Sequence, residues 1–217
     1  MNKIMVWDLP TRVFHWAIVA LVGLSWGTAE LGWMKIHQWS GLTILTLIIF
    51  RVSWGFLGST TSRFSNFVRT PQAAIDYLKV SLKSENRLYA GHNPLGAWAV
   101  IALLLLLTIQ ASTGLFAHDD IIFKGPLAYM VSKSVSSFLT EVHDLTFDLI
   151  IVGAGVHIAA VFFYLLIKRQ NLIRPMVTGL KDEDQVPPGT TNLRFESTAF
   201  AVILLALSAA LVWWIIK

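Results

Sequence analysis

Six histidines are the residues of this chain best suited to chemistry: His15, His37, His92, His118, His143 and His157. A neutral imidazole keeps one ring nitrogen protonated and offers the other as a lone pair, which makes it a common metal ligand and an axial ligand of haem iron. Spacing narrows the choice. His143 and His157 are 14 residues apart, which on a helix is roughly 21 Å of rise and about 40° from whole turns, so both project from nearly one face at two depths. Arg51 stands at the same 14-residue offset from His37, bringing a cation to a similar face of its own helix. The chain has no cysteine, which excludes a structural disulfide, thiolate zinc, cysteine-held iron–sulfur clusters and covalent attachment of a c-type haem. What remains for these residues is ligation by imidazole alone, or the ordinary role of hydrogen-bonded histidines at interfaces and in cores.

The elements that must position them are membrane spans. Of the 217 residues, 55% are of the set AVILMFWYC and 14% are charged, with a mean hydropathy of +0.62, where soluble domains are about 25% charged. A freely soluble enzyme is excluded, although the length alone would suit one or two domains of any class. Crossing a bilayer as a helix takes ~20 apolar residues. Five windows offer this: Arg12 to Glu30, Lys35 to Arg51 with a continuation to Leu57, Arg87 to Asp119, His143 to Lys168 interrupted by Asp144 and Asp148, and Glu196 to Lys217. The first lacks a small-residue cleavage site and contains Pro10, Arg12 and His15, so it reads as a retained span. With the N-terminus inside, only Lys35, Lys124, Lys133 and Lys217 of the 17 basic residues fall outside. The positive-inside rule therefore predicts N-in and C-out. The net charge of +4 and pI near 9.5 are accounted for as topology signals, with no need of nucleic acid as a partner.

This topology sorts the histidines by depth. His37 and His143 open their helices at the outer side, whereas His15 and His157 lie toward the inner side. An ionisable side chain in a span is costly and usually functional, and a haem between helices takes one axial histidine from each side. Depth thus pairs His37 with His143 and His15 with His157, predicting two haems b. The pairing needs either a first helix beginning near Pro10 or a fourth extending past the hydrocarbon. Gly41 and Gly153, each one turn from a ligand candidate, and nearby Gly155 would let a flat macrocycle approach the backbone, with ordinary small-residue packing as the alternative. Arg51 reads as the cation for a propionate of the inner haem, or else as a snorkelling arginine. His92, ahead of Asn93-Pro94, reads as a loop histidine within reach of a propionate, and His118, beside Asp119 and Asp120, as interfacial. Asp144 and Asp148 suit either proton movement or an interhelical hydrogen bond. Trp33, Trp39, Trp213 and Trp214 fit an interfacial belt.

Between the spans, Thr70 and Pro71 predict the cap and first turn of a short surface helix over 70–82, with Ala74, Ile75, Leu78 and Leu82 apolar. Gly125-Pro126 through Phe138 predicts a separate amphipathic helix on the outer side. Lys181 to Asn192, with Pro187-Pro188, predicts an irregular linker.

The chain also resembles a known family. Val6 to Trp16 (VWDLPTRVFHW), HQWSG at His37, FRVSWGFLGS at Phe50, GHNPLGAW at Gly91, QASTGLF at Gln110 and EVHD at Glu141 are similar to the bacterial cytochrome b561 family. They are most like its branch of b-type cytochrome subunits of nickel-iron hydrogenases. The likeness covers about residues 4–180 and implies a four-helix core holding two haems b, with His15, His37, His143 and His157 at the ligand positions. The expected fold is an all-α integral membrane protein. Residues 1–180 would form the di-haem four-helix bundle, and 181–217 a linker and a fifth transmembrane helix. The expected function is electron transfer in the bacterial inner membrane, between quinone and a periplasmic c-type cytochrome or hydrogenase. The competing readings are an autonomous oxidoreductase coupling quinone to superoxide or another small periplasmic species, and a transporter, which would hold no haem.

Overall fold

The computed structural model describes residues 2–81, 87–119, 123–190 and 192–217; Leu82, Lys83 and Asp120 lie outside them. The main elements are β1 (Lys3–Met5), α1 (Leu9–Glu30), α2 (Met34–Leu57), α3 (Phe64–Phe67), α4 (Pro71–Ser81), α5 (Pro94–Gly114), α6 (Lys133–Leu166), α7 (Ile173–Thr178), β2 (Leu180–Asp182) and α8 (Thr198–Ile215). Helices α1, α2, α5, α6 and α8 are each long and apolar enough to cross a membrane.

Their starts follow from capping. Asp8 Oδ1 accepts the Thr11 N–H at 2.8 Å, Asn93 Oδ1 accepts from Gly96 at 2.7 Å and Ser132 Oγ from Val135 at 3.3 Å, each satisfying an orphan donor of a first turn. The Asp8 cap and Pro10 start α1 early enough to carry His15 within the helix, which is one of the two alternatives the depth pairing required. The α1–α2 turn is short because Gly32 adopts φ +71° and Trp33 N–H returns to Thr28 O at 2.8 Å, a left-handed closure suited to glycine. The amphipathic helix expected over 125–138 does not stand alone. Ala128–Met130 is a single 3-10 turn, and Val135 and Phe138 belong to α6. No breaker separates the Ser132 cap from His143, so α6 runs unbroken for 34 residues, roughly 51 Å.

The described residues divide into two compact units. One comprises Met1–Val13, Val52–Ala102 and Ala154–Val202. Its core is Val6, Trp7 and Val186, with Ile4, Ala90, Met176 and Leu193 around them. The segment expected as an irregular linker contributes to this core. Leu180–Asp182 pairs antiparallel with Lys3–Met5, and Val186 is 3% exposed, because burying Val186 against Val6 and Trp7 removes apolar area from water. Asp8 anchors the same unit. Its Oδ2 accepts Trp54 Nε1–H at 3.0 Å and the Ser62 hydroxyl at 3.2 Å. Helix α4 has the expected start, with Thr70 Oγ1 accepting from Ala73 at 3.3 Å, but it buries Ala74, Tyr77 and Ser81 and leaves Ile75 and Leu78 exposed. Tyr77 and Tyr164 share a hydroxyl–hydroxyl bond of 2.9 Å. Lys181 donates to Tyr89 O at 2.8 Å, and its burial lowers the amine to about 8.

The other unit comprises Phe14–Arg51, Leu103–Gly153 and Ile203–Lys217. One apolar cluster joins Ile44, Ile48, Leu107 and Ile150, and another joins Leu42, Leu45, Leu115, Leu127 and Val212. Val212 thereby seats α8 on α2 in this unit. After α5 the chain folds back on itself, with Leu127 N–H to Leu115 O and Gly125 N–H to Ala117 O, both 2.8 Å. A Cβ at Gly125 would lie 2.5 Å from Leu115 O, so this crossing requires glycine.

Candidate functional site

His37 sits in the first turn of α2 and His143 on α6, both in the second unit. Their rings meet edge to face, with centroids 6.1 Å apart and planes at 77°. His37 Nδ1 lies 2.9 Å from Ser25 O on α1, and His143 Nδ1 lies 2.9 Å from Gln110 O on α5. A carbonyl only accepts, so each Nδ1 carries the proton and each Nε2 carries the lone pair. The Gln110 side-chain amide, donating to His143 Nε2 at 3.0 Å, agrees with that tautomer. Donating the second ring N–H to a backbone carbonyl is the usual way a ligating histidine is held.

The pair lines a cavity of about 440 Å³, together with Gly41, Gly114, Gln110 and His118 among others, within the range of cofactor pockets. A Cβ at Gly41 would meet nothing within 4 Å, whereas one at Gly114 would come within 2.9 Å of His143 Cε1. Gly41 leaves a wall of the cavity flat, and Gly114 makes room for the ligand ring. Gln110 Oε1 is buried without a hydrogen-bond partner among the described residues.

The remaining candidates are placed as follows. Gly153 packs on α5, where a Cβ would meet Leu103 Cδ2 at 3.0 Å, while Gly155 opens on free space. His118, read from sequence as interfacial, forms part of the cavity wall and lies 3.1 Å from Ser137 Oγ through Nε2. His15 is half-buried with its ring 4.9 Å from Trp16, and His157 is half-buried on α6. Arg51 is 2% exposed. His92, in the loop before α5, is held between Trp7 and Phe67 at centroid distances of 4.7 and 4.6 Å.

Two imidazoles on one metal ion, at metal–nitrogen distances of about 2 Å plus the ring radii, have centroids roughly 6 Å apart, as His37 and His143 do. Among the described residues no group of three or more His, Asp or Glu side chains could hold a bare metal ion. Residues 6–179 match the family described as prokaryotic cytochrome b561. The chain belongs to that family. It is a multi-pass bacterial membrane protein and a b-type cytochrome of electron transfer, and haem b is the cofactor of such proteins. It is also similar to the probable Ni/Fe-hydrogenase B-type cytochrome subunit of Rhodobacter capsulatus, 24% identical over 215 residues covering 82% of this chain and 81% of that one. No solved structure is significantly similar. In this cytochrome b561-family protein the open face at Gly41, the cavity volume and the Nε2 lone pairs of His37 and His143 fit a haem, provided the Gln110 amide gives up its 3.0 Å bond to His143 Nε2.

Sequence reasoning did not assign roles to Ser25, Gln110 or Gly114. Their contribution comes from main-chain oxygens and from an absent side chain. The signal available was that Gln110 and Gly114 both fall in the QASTGLF motif.

Proposed function

We propose that this protein relays electrons across the bacterial inner membrane between the quinone pool and a redox partner on the periplasmic side. Two haems b would serve as stations, one ligated by His37 and His143 and one by His15 and His157. The observation that carries this reading is the facing pair of Nδ1-anchored imidazoles across the 440 Å³ cavity. For His15 and His157 the support is their matched depth in the sequence and the family resemblance. A bound haem supplies one-electron exchange between ferric and ferrous iron. The chain's own residues fix the ring tautomers, exclude water with apolar walls and keep the wall flat at Gly41. Gly153 is assigned to the approach of the second group and His92 to reach of a propionate. Residues 1–180 would be the di-haem core and 181–217 an appended segment. The partner is taken to be a hydrogenase, in keeping with the name of the Rhodobacter capsulatus relative, or a periplasmic c-type cytochrome. The test is reduction of the purified protein by a quinol analogue, followed in the visible spectrum. Haem bands that respond to dithionite but to no quinol would remove quinone from this reading.

Orientation is proposed as N-in and C-out on the distribution of basic residues. A reporter active only in the periplasm should be active when fused after Lys217 and silent when fused near Lys181. The reverse pattern would invert both sides, and silence at Lys217 alone would mean that α8 does not span.

Arg51 is proposed to pair with a propionate of the inner haem. A desolvated guanidinium–carboxylate contact is strong, and losing one partner leaves the other charge poorly solvated. Arg51→Gln should therefore lower the midpoint potential of that haem alone, since a propionate without its cation favours the ferric state. Lysine should restore it only partly, lacking the planar fork. Unchanged potentials in a redox titration of Arg51→Gln would reduce Arg51 to a topology signal.

A further inference from the structure

The two carbonyls that hold the facing imidazoles share a second feature. Thr28 Oγ1 donates to Leu24 O at 2.7 Å and to Ser25 O at 3.0 Å. Thr113 Oγ1 donates to Ile109 O at 2.8 Å and to Gln110 O at 3.1 Å. Each threonine thus reaches the carbonyl three residues before it, and that carbonyl is the one receiving Nδ1–H from His37 or His143. Thr46, Thr108, Thr140 and Thr146 also bond back within their helices, but to the carbonyl four residues earlier. Thr28 and Thr113 are 3% and 7% exposed, so water does not compete with either hydroxyl. The same arrangement, a carbonyl at position i receiving both an imidazole N–H and the hydroxyl of threonine i+3, occurs on α1 toward α2 and on α5 toward α6.

From this repeated arrangement we infer that Thr28 and Thr113 set the redox potential of the group held by His37 and His143. This rests on the assignment of those histidines as haem ligands. A hydroxyl donated to a carbonyl draws electron density from its oxygen and weakens it as an acceptor for the imidazole N–H. The Nδ1 proton then stays closer to the ring, the ring keeps less imidazolate character, and Nε2 is a weaker donor to iron. Hydrogen bonding around a ligand is one of the means by which a protein tunes haem potential. Thr28 pushes toward the ferrous state through the Ser25 carbonyl alone. Thr113 Oγ1 also lies 3.3 Å from His143 Nδ1, and its push in the same direction goes through its shorter 3.1 Å bond to Gln110 O. Both are positioning residues and neither lines the cavity.

The test uses the full-length protein with both haems bound. Thr28→Val and Thr113→Val remove the hydroxyl at nearly constant volume. Each is expected to shift the ferric–ferrous equilibrium toward ferric by about threefold, a fall of about 28 mV at about 59 mV per decade. The double variant should fall about twice as far, with the second haem unshifted as an internal reference. Thr28→Ser and Thr113→Ser keep the hydroxyl and should leave the potential at the parental value. If a valine variant incorporates haem poorly, the alanine variant at the same position gives the same comparison. Potentials unchanged in the valine or alanine variants, or serine variants shifted as far as valine, would overturn the inference. Failure of the underlying assignment has a different signature, because His37→Ala and His143→Ala would then retain both haems whatever the threonine variants do.

Discussion

Purified protein in which His143 is replaced by alanine is expected to carry one haem b against the two proposed for the parent, measured as the pyridine haemochrome per polypeptide. The His143 ring lies 6.1 Å from that of His37, and Nδ1 of each is anchored on a backbone carbonyl. His37→Ala should give the same loss from the same haem. The bands and potential of the remaining haem should be those of its partner in the parent, since His15→Ala and His157→Ala are expected to act only on that second haem. Acid-acetone should extract all of the haem, because the chain has no cysteine to attach it. A parental ratio of one would remove the His15–His157 site, and a shared loss on His15→Ala and His37→Ala would show the pairing to be wrong. Gly114→Val tests the seat from the other side. A Cβ there comes within 2.9 Å of the His143 ring, so the same haem should be depleted with both ligands still present.

Asp8→Ala is expected to have the largest effect on stability. The carboxylate is 4% exposed, and the substitution removes the cap from Thr11 N–H and the acceptor of Trp54 Nε1–H, while the Ser62 hydroxyl loses Asp8 but keeps Thr11 Oγ1 at 2.7 Å. A lost cap costs about 1 kcal/mol, and a buried donor deprived of its acceptor costs roughly 1–3 kcal/mol, for a total of about 2–4 kcal/mol. Asp8→Asn keeps an acceptor for the cap and should cost less than half of that. Thermal unfolding in detergent, followed by haem release, checks both, and an Asp8→Ala protein melting with the parent would show the network to be dispensable. Because Asp8 sets the start of α1, its loss should also loosen the helix that carries Arg12 and His15.

The spans were legible because twenty apolar residues between charges leave the chain little choice, and the caps at Thr70 and Asn93 because their side chains act locally. The long α6 was harder to see. The apolar window opened at His143, whereas the Ser132 cap starts the helix at Lys133. The pairing of residues 3–5 with 180–182 joins the two ends of the family-matched region, and no local pattern in three-residue strands announces such a partner. At the site, imidazoles declare themselves by residue type and spacing, so His37 and His143 could be matched from depth alone. What holds them could not be read in that way. Ser25 and Gln110 act through main-chain oxygens that every residue possesses, and Gly114 through the side chain it lacks.

The origin of those two carbonyls bears on how the protein is built. His37 is oriented by Ser25, 12 residues earlier, and His143 by Gln110, 33 residues earlier, in each case from the helix immediately preceding its own. The histidines themselves are 106 residues apart. During biogenesis each helical hairpin can therefore enter the membrane with its ring already turned to the working tautomer, before the other hairpin has been translated or inserted. The entropic cost of closing a long loop then falls on later events, the meeting of the two hairpins and the pairing of Lys3–Met5 with Leu180–Asp182.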